Sequence, residues 1–202
     1  MPRISEEKKR QRKEHILNHA LKVFVEKGYE GSSMDDIVKS SGVSKGGIYN
    51  YYNSKDDIFL SISQRSAEYR RKYLKELSTD ITYNERLREY LRLVLNKMDD
   101  KDKRGQGKFI FESWIVMSRK KDLKKIAKER YLDFERDLIN LINEGIRKGE
   151  FKRDLDVKSM VYIIISTLDG IAFFRCVLGV EPSEDIKSTY IEMILNKISL
   201  GE

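Results

Sequence analysis

The amino-acid sequence points to an all-α protein, on three observations. Only two prolines occur in 202 residues, Pro2 and Pro182, so nothing breaks helices along most of the chain. Apolar residues recur at i, i+3 and i+4 over long segments. The breaks between these segments, "DDKDKRGQG", "RKGEFKRDLD" and "GVEPSED", are short and rich in Gly, Pro or charge. With 40% hydrophobic and 36% charged residues, the chain suits a globular protein that can bury a real core.

The first helix is carried by "EEKKRQRKEHILNHALKVFVEKGYEG", with Ile16, Leu17, Ala20, Leu21, Phe24 and Val25 on one face and Gly28 as its stop. Its basic start, Lys8, Lys9, Arg10, Arg12 and Lys13, suits either a solvated turn or a phosphate backbone. Ser33 and Asp36 form a capping pair that opens a short helix through Met34, Ile37 and Val38, closed by Gly42. Ser44 caps the next helix only two residues later, with Val43 between them as a buried pin. Two short helices joined by about three residues containing Gly make a helix-turn-helix. Ser54, with Asp56 and Asp57 behind it, then starts a long helix spanning 54–78. Five further helices are expected at 84–101, 106–119, 122–148, 156–179 and 183–199.

The stretch "SKGGIYNYY", residues 44 to 52, is a poor helix by propensity. A hairpin turn needs flanking alternation, and "VSK" is too short for it. A phosphate-cradling loop needs more glycines and follows a strand, whereas this stretch follows a helix. As the second helix of a helix-turn-helix, by contrast, it must approach base edges, and Gly46 and Gly47 bring the backbone close to DNA. Lys45 can reach guanine or a phosphate, and Tyr49 and Tyr51 offer hydroxyls to phosphate oxygens. Tyr52 is expected to pack inward. Lys55 joins an ammonium to the amides of a helix start, a favourable anion site.

On these residues the chain resembles the TetR family of bacterial transcriptional regulators over 13–60. The resemblance rests on "ILNHALKVFVEKGYEGSSMDDIVKSSGVSKGGIYNYYNSKDDIF". It implies phosphate contacts from Ser33, Ser44, Tyr49, Tyr51 and Lys55, and base or near-base contacts from Lys45, Gly46 and Gly47 with Asn50. The family often has histidine then phenylalanine where this chain has Tyr51 and Tyr52, which leaves Tyr51 less secure than Tyr49. It implies a three-helix DNA-binding domain, 1–54, joined by the helix 54–78 to an all-α ligand-binding and dimerisation domain, 55–202. The implied function is a homodimeric repressor of a pseudo-palindromic double-stranded DNA operator, released by a small-molecule inducer. The implied dimer forms through helices 156–179 and 183–199, which are apolar on more than one face.

A net charge of +7 and a pI near 9.3 agree with a polyanionic partner. An all-α ligand carrier or enzyme with an incidental basic surface is the competing class, although no Ser-His-Asp or paired-carboxylate spacing supports an enzyme. Candidate ligand-pocket residues are Phe109, Glu112, Trp114, Met117, Tyr131, Phe134, Asp169, Phe173 and Arg175, a set that an ordinary core would also contain. His15 and His19 have the i, i+4 spacing of a metal pair, but Ile16 stands where a metalloprotease helix has glutamate, so no metal or other cofactor is expected. The one cysteine, Cys176, excludes an internal disulfide framework. Residues 160–180 are apolar enough to span a bilayer, but Asp169 and Arg175 argue for a helix buried on most faces, and a cytoplasmic protein is expected.

Overall fold

The computed structural model describes residues 5–77, 80–99, 104–119 and 121–200. Its helices are α1 (Glu6–Lys27), α2 (Met34–Ser41), α3 (Lys45–Tyr49), α4 (Lys55–Glu76), α5 (Tyr83–Asp99), α6 (Arg104–Arg119), α7 (Lys121–Arg147), α8 (Val157–Cys176) and α9 (Ile186–Ile198). Among the described residues, the one β feature is an isolated antiparallel bridge between Phe151 and Ser199.

The early helices begin where small hydroxyl residues can cap them. Ser5, Ser33, Ser44 and Ser54 each accept a hydrogen bond from the amide three residues on, at Lys8, Asp36, Gly47 and Asp57. Each cap satisfies one amide that the helix geometry leaves without an internal partner. At α2 the box is reciprocal, because the Asp36 carboxylate accepts from the Ser33 amide in return. Gly42 ends α2 in the left-handed region at φ 65°, and its N–H returns to the Val38 carbonyl.

Two apolar clusters form. The first joins Ile16, Leu17, Ala20, Val23 and Phe24 of α1 to Ile37, Val43, Ile48 and Tyr52 of the helix-turn-helix and to Ile58 and Phe59 of α4. It also takes in Phe109 and Met117 of α6. The second is built from α5, α7, α8 and α9, with Leu87, Tyr90, Leu91, Leu138, Ile142, Ile164, Ile165, Ile191 and Ile194 among its buried members. Tyr190 closes it by donating its hydroxyl to the Ile164 carbonyl at 2.9 Å.

Two expectations are corrected. Helix α6 begins at Arg104, two residues before the expected 106, so Arg104 and Gly105 of the "RGQG" run belong to the helix and not to the break before it, and its glycines lie where neighbours come close. A Cβ on Gly105 would lie 2.5 Å from Val25, and one on Gly107 would lie 2.4 Å from the Cys176 sulfur. Helix α8, expected to be buried on most faces, buries only the stripe Met160, Val161, Ile164, Ile165 and Leu168. Tyr162, Ile163 and Phe174 on its other side are exposed. By length and composition α8 could cross a membrane, yet its buried stripe belongs to the second cluster.

Asp36 makes the α2 box pH-dependent. Its hydrogen bonds to Lys27 and Ser33 lower its pKa to about 2. A carboxylate depressed on folding stabilises above its unfolded pKa and loses that contribution as pH falls through the folded value. The melting-temperature advantage of the native protein over Asp36→Asn is therefore expected to be full above about pH 4. It should shrink as the pH falls from about 4 towards about 2, as followed by circular dichroism.

Candidate nucleic-acid interface

Helix α3 is five residues long and is held mainly by what flanks it. Val43 and Ile48 are 5% and 0% exposed, and Tyr52, buried at 4%, pins the exit as expected. The amides of Tyr51 and Tyr52 both bond to the Ile48 carbonyl, so the chain turns sharply after α3. This anchoring leaves Lys45, Gly46, Tyr49 and Asn50 exposed and Tyr51 half-buried against the first cluster.

The two glycines have different jobs. A Cβ on Gly46 would meet nothing within 4 Å, so its absence leaves the backbone open towards solvent. A Cβ on Gly47 would stand 2.9 Å from Val43 Cγ1 and 3.0 Å from the capping hydroxyl of Ser44. The close packing of the turn itself accounts for Gly47, a reason the sequence reading had not given.

The polar candidates are similarly sorted. Ser44 caps α3, and Ser33 is engaged in the α2 capping box. Lys45 reaches back across the turn to Asp35, 2.8 Å away. Lys55, expected to present its ammonium to a phosphate, donates within the chain to the carbonyls of Tyr29 and Ser32 at 2.6 and 2.7 Å and lies over the Tyr29 ring. That ammonium satisfies carbonyls of the α1–α2 connection and ties them to the start of α4. His15 and His19 fasten α1 to the end of α2 through the Ser41 carbonyl and the Ser40 hydroxyl. Burial, then the neighbouring His15, lowers the His19 pKa. Among the described residues no group of three or more His, Cys, Asp or Glu could hold a metal.

The candidate pocket residues are divided between the two clusters. Phe109 stacks on Phe24 at 5.2 Å and meets Phe59 edge-on at 5.3 Å, and Met117 is buried in the same cluster. Both side chains fasten α6 to α1 and α4, the ordinary-core role that the sequence also allowed for them. Glu112 lies beside Lys108 and Gly28. Trp114 and Phe173 both meet Phe111 edge-on, at 5.1 and 5.4 Å, where α6 packs against α8. Tyr131 and Phe134 pack on the second cluster. The Tyr131 pKa is raised by burial and by acids that include Asp169. Arg175 pairs with Glu181 at 3.1 Å.

Sequence reading missed a buried polar group between α4, α5 and α7. Arg70 is 8% exposed, its guanidinium lies 4.7 Å over Phe134, and it faces the fully buried Tyr90. Arg71 pairs with Asp133 at 2.6 Å. Burial raises the Asp137 pKa against the pull of Arg71 and Arg70. The signal was weak, because "YRRKY" reads as a charged surface until α7 packs against it.

Comparison with known proteins agrees with this architecture. Residues 16–62 match the sequence profile of bacterial regulatory proteins of the tetR family, and residues 86–186 match the tetracyclin repressor-like C-terminal domain. The chain belongs to the TetR family. It is a transcriptional regulator with an N-terminal helix-turn-helix. It is 28% identical over 161 residues to the fatty acid metabolism regulator protein of Bacillus subtilis, covering 80% of this chain and 81% of that one. A TetR-family regulator from Cytophaga hutchinsonii superposes with a TM-score of 0.77 at 21% identity, over 99% of this chain and 100% of that one. FadR from Bacillus subtilis, solved with stearoyl-CoA, gives 0.70 at 22% identity, over 90% and 97%.

The different roles of the two glycines can be measured directly. Gly46→Ala should stabilise the protein by up to about 1 kcal/mol through helix propensity. Gly47→Ala should destabilise it by about 1–3 kcal/mol through overpacking against Val43. Urea denaturation of both variants checks the difference in sign.

Proposed function

We propose that this TetR-family regulator is a homodimeric, cytoplasmic repressor of a pseudo-palindromic DNA operator, released when a small molecule binds its C-terminal half. The observation that carries the DNA side is the anchoring of α3. Val43, Ile48 and Tyr52 are buried, while Lys45, Gly46, Tyr49 and Asn50 face outward on one short segment. In this reading residues 1–54 form the DNA-binding domain and residues 55–202 the ligand-binding and dimerisation domain. Tyr49 is the leading phosphate contact, followed by Tyr51, Ser33 and Ser44. Lys55 contributes through the helix start it secures.

The exposed apolar side chains Tyr162, Ile163 and Phe174 of α8 and Met193 of α9 support dimerisation through the two last helices. The ligand is assigned to the part of the molecule where α6, α7 and α8 pack together, with Trp114, Tyr131, Phe134, Asp169 and Phe173 as its candidate contacts. A ligand preferring a different packing of these helices shifts α4 and with it the separation of the two α3 helices. The stearoyl-CoA held by FadR makes fatty acyl thioesters the first class to try.

Selection from a random pool of DNA duplexes tests the proposal. A pseudo-palindrome should be enriched, with affinity falling by about a thousandfold or more between about 50 and 200 mM salt. Tyr49→Ala should weaken binding to all sequences alike, and a fatty acyl thioester should release the selected duplex while changing Trp114 fluorescence. Absence of any sequence enrichment at low salt would refute the regulator reading and favour a ligand carrier. Release by no ligand in a broad panel would leave an inducer-independent DNA binder.

A further inference from the structure

The adjacent acids Asp35 and Asp36 in the first turn of α2 have different surroundings. Asp36 is fully engaged by the fold, through the Ser33 capping box and the Lys27 pair. Among the described residues, the hydrogen bond of the Asp35 carboxylate is the one from Lys45. The Asp35 side chain is 74% exposed and that of Lys45 58%. Asp35 thus places a carboxylate beside α3, on a surface whose partner is a polyanion, where a lone acid opposes binding. Lys45 is the one cationic side chain in the α3 sequence "KGGIY".

We propose that Asp35 is a specificity-setting residue of this regulator: it holds the Lys45 ammonium away from phosphates on arbitrary DNA. Lys45 leaves only where a well-placed base edge or phosphate replaces the carboxylate. The physical basis is the small worth of an exposed ion pair, which contributes roughly 0–1 kcal/mol and is readily exchanged for a better acceptor. On non-cognate duplex, where α3 does not seat fully, the pair persists and one phosphate contact is withheld. Non-specific binding falls more than specific binding, and discrimination rises. The proposal rests on the placement of α3 against DNA.

The test uses the full chain with two duplexes, one of random sequence and one selected by the protein from a random pool. Affinities are measured by fluorescence anisotropy between about 50 and 200 mM salt. Asp35→Asn is expected to raise affinity for the random duplex roughly three- to tenfold and to steepen its log–log salt dependence by about 0.9, one added phosphate. The gain on the selected duplex should be smaller, so the ratio of the two affinities falls. In a Lys45→Ala background, Asp35→Asn removes only the repulsion of a lone carboxylate, so its gain on the random duplex should be clearly smaller and its slope should not steepen by one phosphate. An unaltered slope in Asp35→Asn, or the same gain without Lys45, overturns the proposal. Asp36→Asn separates a general loss of α2 stability, because its effect should not depend on Lys45. If the native protein binds neither duplex at the lowest salt, the placement of α3 fails as well, an outcome distinct from an unchanged slope.

Discussion

The packing of four aromatic rings, from Phe24 of α1, Tyr29, Phe59 of α4 and Phe109 of α6, joins the two halves of the molecule. Phe109 lies flat on Phe24 and edge-on to Phe59, while Tyr29 meets Phe59 edge-on at 5.3 Å. Rings arranged this way gain attraction beyond the area they bury. Phe24 and Phe109 are fully or nearly fully buried, so the contact holds only in a narrow range of α6 positions. Moving α6 means repacking the core under the helix-turn-helix. That geometric dependence gives a change in the second half of the chain a route to α3.

Helix α4 provides a second connection of a different chemical kind. At its start Lys55 draws together the Tyr29 and Ser32 carbonyls, and about four turns later Arg70 and Arg71 engage α5 and α7. The first attachment is made by an ammonium satisfying main-chain oxygens, the second by guanidinium groups among aromatic rings and carboxylates. Buried charge of this kind is costly unless its partners stay in register. The position of α4 therefore depends on the packing of α7 as well as on the first cluster. Packed aromatics on α6 and buried polar groups on α4 give the helix-turn-helix two separate points of support.

Much of this was legible in the sequence where the physics is local. Ser33, Ser44 and Ser54 cap helices because a serine three residues ahead of an amide can reach it whatever the rest of the chain does. Gly42 marks the end of α2 for an equally local reason, its positive φ. Val43 and Tyr52 were readable as inward-facing from the spacing around them. Gly105 was placed before α6, because a Gly inside a helix and a Gly before one look the same without the neighbour that forbids a Cβ. That Phe109 and Met117 pack on α1 and α4 was not legible for a related reason: periodicity shows that a helix has an apolar face but not which neighbour that face meets.

By itself, then, the sequence determined the all-α class, the helix-turn-helix with its caps, and the family, since each depends on residues within a few positions of one another. Tertiary structure alone decided that Gly47 is small for Val43 and Ser44, that Lys55 is directed at the α1–α2 connection, and that Phe109 belongs to the first core. It also brought Arg70, Tyr90 and Asp137 together from three helices and set Lys45 against Asp35 across the turn. Each of these depends on distances between segments well separated along the chain or on the exact turn between two helices, and the pattern of apolar and polar residues does not encode such distances.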